Sequence, residues 1–204
     1  MLILADWFFN FLPVLPGVFV VLAFILYFCR FEFSNLNLVL RRLGGVYALL
    51  VLLGGIFLSV GQYFAWANDS LGVILLPPTQ SITYFLGYVW LRFLTPVFIS
   101  FLSAGVWYLF LNLLRKYQPR FFEDGEPELG FALALFIGWP KFLVLLPIAL
   151  LSVVLVSIFR MVVLREPYTT LGWPLVLSAF LNLIYGNSLL VILGLSSLRV
   201  VSGY

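Results

Sequence analysis

The chain alternates between long apolar stretches and a few short polar segments. Most charged positions fall in four ranges, which are Arg30–Arg42, Asp69–Gln80, Arg115–Glu128 and Arg160–Tyr168. The hydrocarbon core of a bilayer is about 30 Å thick, and a helix needs about 20 apolar residues to cross it. The stretches between the polar ranges therefore predict an all-α fold, a polytopic bundle of membrane helices.

Helix breakers divide the longest apolar stretches. The run from Ile82 to Leu114 is too long for one upright span, and Thr95-Pro96 is typical of a helix start, so we predict a break there. Gly138-Trp139-Pro140 predicts a second break. The pattern then gives about seven helices, two of them short: Phe8–Cys29, Gly44–Trp66, Thr79–Phe93, Thr95–Leu114, a short one from Leu129 to the second break, a longer one from there to Leu164, and Gly172–Leu195.

Composition supports a membrane protein and argues against a water-soluble one. Of the 204 residues, 64% are hydrophobic and 9% are charged, whereas soluble domains have about 25% charged residues. We predict a single transmembrane domain, residues 1–204, with a two-helix N-terminal part (1–66) and a second part (67–204). The small net charge of +3 argues against nucleic acid as a partner.

The residue types that bind metals are scarce. Cys29 is the single cysteine and histidine is absent, so we predict no disulfide, no metal site and no cofactor. Any catalysis would depend on carboxylates, hydroxyls, Lys or Tyr. Asp6 has the wrong charge for the start of a secretory signal, so we interpret the first apolar stretch as a retained helix.

Membrane orientation stays open at this stage. The two clearest basic loops, Arg30–Arg42 and Arg115–Arg120, lie on opposite sides of the membrane if there are seven helices. They lie on the same side only if one of the predicted helix pairs is a single interrupted span.

The segment Asp124–Leu193 has a distinctive order of breaks. Gly125-Glu126-Pro127-Glu128-Leu129 opens a short helix that ends at Gly138-Trp139-Pro140. Next comes a long apolar helix, followed by the polar segment Arg165-Glu166-Pro167. The chain then continues with Leu171-Gly172-Trp173-Pro174 and a last helix that contains Tyr185-Gly186. This layout resembles the C-terminal half of the type IV prepilin peptidases, membrane-embedded aspartic peptidases of the GxGD class, and the resemblance extends more loosely back to Asp69.

The resemblance implies a catalytic pair of carboxylates. Asp69, before Leu75-Leu76-Pro77-Pro78, takes the place of the family's first aspartate, and Glu126 takes the place of the second, with Asp124 in reserve. Such a pair shares one proton and activates water for peptide hydrolysis. The implied substrate is the leader of a pilin-like membrane protein, cut at the face of a prokaryotic cytoplasmic (inner) membrane.

The motif departs from that of the family at three positions. Glu123 stands in place of the first glycine, Glu126 in place of the aspartate, and Glu128 in place of a lysine. The longer carboxylate and the added negative charge both disfavour the reaction, so we expect weak or absent peptidase activity. The alternatives are a non-catalytic membrane subunit that serves as a scaffold, and, third, a small transporter.

Local structural roles compete with the catalytic ones. Asp69 is also well placed to cap the turn that follows its helix. The acidic residues of Glu123–Glu128 could form a solvated loop that balances Arg115, Lys116 and Arg120. Arg92 is expected to extend towards a membrane interface.

Overall fold

The chain folds into helices, as its apolar stretches predict. The computed structural model describes residues 14–29, 35–165, 170–195 and 197–198, and these ranges contain no strand. The α-helices are α1 (Leu15–Phe28), α2 (Leu36–Asn68), α3 (Ile82–Val89), α4 (Thr95–Tyr117), α5 (Glu126–Ile137), α6 (Phe142–Phe159) and α7 (Gly172–Ile192).

Four of the described helical stretches are long and apolar enough to cross a membrane. They are Leu36–Asn68, Ile82–Tyr117, Phe142–Val163 and Gly172–Ile192, whereas α1 is shorter. Their outward-facing side chains are largely apolar, which indicates contact with lipid. The chain is thus a helical membrane bundle. Four described stretches are long enough to span the membrane, so the predicted count of about seven transmembrane helices is not confirmed. Residues 1–13, together with Arg30, Glu32 and Glu166, lie outside the described part.

The predicted break at Pro96 is wrong. One π-helical turn, Trp90–Leu94, joins α3 to α4, so Ile82–Tyr117 is a single helix of 36 residues. Proline removes one backbone donor, and the shifted hydrogen-bond register of a π turn accommodates that loss. The Trp90 carbonyl accepts both the backbone N–H of Thr95 and, at 2.9 Å, its hydroxyl.

The predicted break at Gly138-Trp139-Pro140 is confirmed. Helix α5 ends at Ile137, Gly138 follows with φ of +67°, and α6 begins at Phe142. Pro174 also lies as expected, in the first turn of α7, where a missing N–H costs no helical hydrogen bond.

Helix α5 forms the centre of the bundle. Eleven of its 12 residues are buried, and it packs against α1, α2, α4 and α7. A helix that is apolar on nearly all sides is either covered by neighbouring helices or surrounded by lipid, and α5 is covered by its neighbours. The two acidic residues in its first turn, Glu126 and Glu128, are consequently buried as well.

Helices α2 and α5 run parallel, and the contacts between them fix the relative depth of the functional residues. Leu36 lies beside Gly125, Gly44 faces Phe131, and the hydroxyl of Tyr47 donates to the carbonyl of Phe136 at 3.1 Å. At a rise of about 1.5 Å per residue, the 33 residues of α2 extend about 50 Å, well past the end of α5.

Beyond the end of α5, the upper part of α2 packs against α3. A separate apolar cluster forms there, made of Leu58, Leu76, Phe85, Val89 and Phe93. This hairpin ends at the tip Asp69–Gln80, at the opposite end of the molecule from Glu126.

Candidate functional site

The turn before α5 directs two carboxylates into the bundle. Gly125 has φ of +91°, a conformation that favours glycine, and an added Cβ would lie 3.0 Å from Leu36 and from Asn37. Pro127 follows in the first turn of α5, where proline is well tolerated. Because this turn packs against α2, the side chain of Glu126 extends inwards and is fully buried.

The Glu126 carboxylate accepts hydrogen bonds from four described donors. Oε1 accepts from the Tyr27 hydroxyl at 3.1 Å and from the Gly172 N–H at 2.6 Å. Oε2 accepts from the Glu123 N–H at 3.0 Å and from the Leu171 N–H at 3.3 Å. A carboxylate offers about four lone-pair sites, so these four donors match its usual hydrogen-bonding capacity.

The N-terminus of α7 is the main structural partner of Glu126. The first N–H groups of a helix have no acceptor within the helix, and their dipoles attract an anion. Leu171 and Gly172 present two such groups to the carboxylate. Position 172 needs glycine, because an added Cβ would lie 2.0 Å from the Tyr27 hydroxyl oxygen and 2.8 Å from Glu126 Oε1.

The second buried carboxylate, Glu128, connects three helices. Its Oε1 accepts from Arg41 of α2 at 3.0 Å and from the Tyr108 hydroxyl of α4 at 3.3 Å. Arg41 also donates to the Tyr108 oxygen at 3.0 Å. Glu128 Oε2 is buried and has no hydrogen-bond partner among the residues that the structure describes. This cluster therefore keeps α2, α4 and α5 in register.

Asp69 lies at the other end of α2, far from both glutamates. It is the residue after the helix, and its Oδ2 accepts from the Gly72 N–H at 2.9 Å. The predicted pairing of Asp69 with Glu126 is therefore not formed, since about 50 Å of continuous helix separates the two ends. The competing expectation, that Asp69 caps the following turn, agrees with this geometry.

Asp124 lies close to Glu126 in sequence but in a different environment. Its side chain is 84% exposed and forms an ion pair with Arg115. The expectation of a solvated acidic loop thus holds for Asp124, whereas Glu126 and Glu128 depart from it because the packing of α5 buries them.

A cavity lies at the opposite end of α5. It has a volume of about 440 Å³ and is mostly apolar, with Ser100 and Lys141 among the polar side chains that line it. Ser100 Oγ accepts from the Trp139 N–H at 2.8 Å and donates to the Pro96 carbonyl, so it satisfies the interrupted backbone. The cavity is about 18 Å from Glu126, given the 12 residues of α5, and is separate from the carboxylates.

Sequence reasoning did not identify Tyr27, Arg41 or Tyr108 as partners of the carboxylates. They lie 99, 87 and 20 positions away from the glutamates that they contact. No local pattern singles out these three side chains, because their partners lie on other helices. Within the described ranges, no three His, Cys, Asp or Glu side chains are grouped so that they could hold a metal ion.

Arg92, which the sequence places in a long apolar stretch, donates to the Tyr88 hydroxyl at 2.6 Å.

Neither a scan against protein-family models, nor a search of curated proteins, nor a search of solved structures gives a match to this chain.

Proposed function

We propose that this protein is a non-catalytic membrane subunit, a helix bundle of prepilin-peptidase-like layout whose carboxylates stabilise the fold. The observation that carries the proposal is the saturation of Glu126, which accepts hydrogen bonds from four described donors. A general base needs a lone pair within reach of the proton that it removes. The donors around Glu126 already match its usual hydrogen-bonding capacity, and Asp69 is at the far end of α2.

The bundle would act as a scaffold for other membrane proteins. Apolar side chains are exposed along the whole of α2 and Ile82–Tyr117, for example Leu53, Leu86 and Leu102. These faces suit lipid and membrane-protein partners equally, because both are apolar. The proposed location is a prokaryotic cytoplasmic membrane, in line with the family that the sequence resembles.

A leader peptidase is the second candidate. It is favoured by a buried carboxylate at the start of a short helix that ends in Gly138-Trp139-Pro140, the position at which the resembled family carries its aspartate. This function would require Glu126 to exchange one of its donors for a water, and a second acid to approach it.

A cleavage assay separates the two candidates. The purified protein is reconstituted in liposomes with a pilin-like substrate, and an active prepilin peptidase serves as the positive control. We expect no cleavage by the wild type, with Glu126→Gln lowering its thermal stability. Cleavage by the wild type that disappears in Glu126→Gln and in Asp69→Asn would instead establish the peptidase.

The scaffold is tested separately, by extraction of the complex from its native membrane in a polymer that retains lipid. The expected result is one or more partner proteins in fixed stoichiometric ratio. Extraction of the chain alone, under several mild conditions, would contradict a scaffolding role.

A further inference from the structure

Basic side chains gather at the end of the bundle that holds Glu126. Arg41 contacts Glu128, Arg115 contacts Asp124, and Arg165 ends the stretch that precedes the N-terminus of α7. The basic end, as we define it, consists of Arg41, Arg42, Arg115, Lys116, Arg120 and Arg165, which are six of the eleven Lys and Arg residues. The opposite tip, Asp69–Gln80, contains neither Lys nor Arg.

These basic residues share one end because α3 and α4 form one helix. With Ile82–Tyr117 as a single crossing, the start of α2 and the end of α4 are on the same side of the bundle. Two separate helices at this place would have put them on opposite sides. The charge asymmetry is thus a product of the continuous helix.

Among the described residues, several cations of the basic end have no ion-pair partner. Two of the acidic residues nearby, Glu126 and Glu128, are buried, and Glu128 is paired with Arg41. Asp124 is paired with Arg115. Three exposed cations, Arg42, Lys116 and Arg165, have no ion pair with any residue that the structure describes.

We infer that the basic end binds the anionic phosphate headgroups of the surrounding lipid leaflet. All four helical stretches of membrane-spanning length, Leu36–Asn68, Ile82–Tyr117, Phe142–Val163 and Gly172–Ile192, begin or end there, so the basic end lies at the level of the lipid headgroups. Long basic side chains extend from apolar helix surfaces to that level, and each cation near an anionic surface adds attraction. The partner is the bilayer that already surrounds the bundle, and the inference holds whether or not the protein cleaves a substrate.

Trp173 provides a reporter at this end. It lies in the first turn of α7, next to Gly172, and 44% of its surface is exposed. Brominated phospholipids quench the fluorescence of a Trp that they contact. The difference in quenching between the wild type and Trp173→Phe comes from Trp173 alone. It therefore reports which lipids lie next to the basic end.

The experiment compares brominated phosphatidylglycerol with brominated phosphatidylcholine in mixed bilayers. We expect the wild type to prefer phosphatidylglycerol several-fold at low salt, with the preference falling as salt screens the charges. In the triple variant Arg42→Gln, Lys116→Gln, Arg165→Gln, the two brominated lipids should quench Trp173 equally. The matched control, Arg42→Lys, Lys116→Arg, Arg165→Lys, keeps the charge and should keep the preference.

Two results would overturn the inference. One is equal quenching by the two lipids in the wild type. The other is a preference in the Gln variant as large as in the wild type. If the Gln variant fails to fold, the wild-type preference and its loss at high salt decide the question alone.

Discussion

Glu126 Oε1 accepts a hydrogen bond from the backbone N–H of Gly172, with 2.6 Å between the two atoms and 46 positions between the residues. This contact joins the first turn of α5 to the first turn of α7. The same carboxylate also reaches α1 through Tyr27. One buried side chain therefore connects three helices at one end of the bundle.

Substitution of Glu126 should destabilise the fold. Glu126→Ala leaves several buried donors without an acceptor, and we expect a loss of about 3–5 kcal/mol in the free energy of unfolding. Glu126→Asp, which restores the residue of the resembled family, should also destabilise, because the shorter side chain does not span the gap to α7. Thermal unfolding, followed by the fluorescence of the six Trp residues, measures both.

Asp124→Ala is the control for these variants, since its side chain is exposed and only two positions away. It should unfold close to the wild-type temperature. A Glu126→Ala variant as stable as Asp124→Ala would contradict the structural role of Glu126.

Substitutions of Asp69 and Glu126 should have independent effects on the free energy of unfolding. Residues more than about 7–10 Å apart usually have additive effects on stability, within about 0.3–0.5 kcal/mol. We therefore expect the double variant Asp69→Asn, Glu126→Gln to lose the sum of the two single losses. A clear departure from additivity in unfolding measurements would indicate that the two carboxylates interact after all.

Gly172→Ala should destabilise the fold strongly, although it adds only one methyl group. The new methyl group would overlap the Tyr27 hydroxyl and displace it from Glu126, at a cost of about 1–3 kcal/mol. Gly105→Ala, in α4, is the matched control, because nothing lies within 4 Å of its added Cβ. Unfolding temperatures of the two variants should differ clearly, and equal values would show that the close approach at Gly172 is not required.

Arg41 and Glu128 should show energetic coupling. Arg41→Gln leaves the buried carboxylate of Glu128 without its cation, which is unfavourable in a low-dielectric environment. In a Glu128→Gln background there is no charge to leave unpaired, so the same change should cost less. A double-mutant cycle of unfolding temperatures tests this, with Arg42→Gln as a neighbouring control. Equal effects of Arg41→Gln in both backgrounds would refute the coupling.

The basic end should face the cytoplasm. Loops rich in Lys and Arg stay on that side of a membrane, and the tip Asp69–Gln80 has neither residue. In a Cys29→Ser background, a membrane-impermeant maleimide added to intact cells should label Ser70→Cys but not Gln118→Cys. Both should be labelled after the membrane is opened. The reverse pattern would invert this topology.

Helix boundaries show how far local patterns can be trusted. Gly138-Trp139-Pro140 ends a helix because a glycine in an unusual conformation and a proline act together on the same turn. Pro96 resembled it in sequence, yet α3 continues into α4 through a π turn that includes no glycine. The difference is that a π turn with a shifted hydrogen-bond register carries the helix past Pro96, whereas the positive φ of Gly138 ends α5.

Whether the two carboxylates lie close together could not be predicted from local sequence patterns. The resemblance pairs Asp69 with Glu126 by the order of motifs along the chain, and that order carries no information on the depth of each residue in the bundle. The parallel packing of α2 on α5 sets that depth and separates them. Continuity of Ile82–Tyr117 also removed one crossing, which changed the side on which each later loop lies.

The sequence by itself determined that the chain is a helical membrane bundle, since the length and apolarity of a stretch are local properties that lipid selects directly. It also determined the break between α5 and α6. Only the tertiary structure decided what Glu126 and Glu128 do, because their environment is made by Tyr27, Arg41, Tyr108 and Gly172, which lie on other helices. Whether a carboxylate binds water or backbone donors depends on which helix ends meet it, and packing alone sets that.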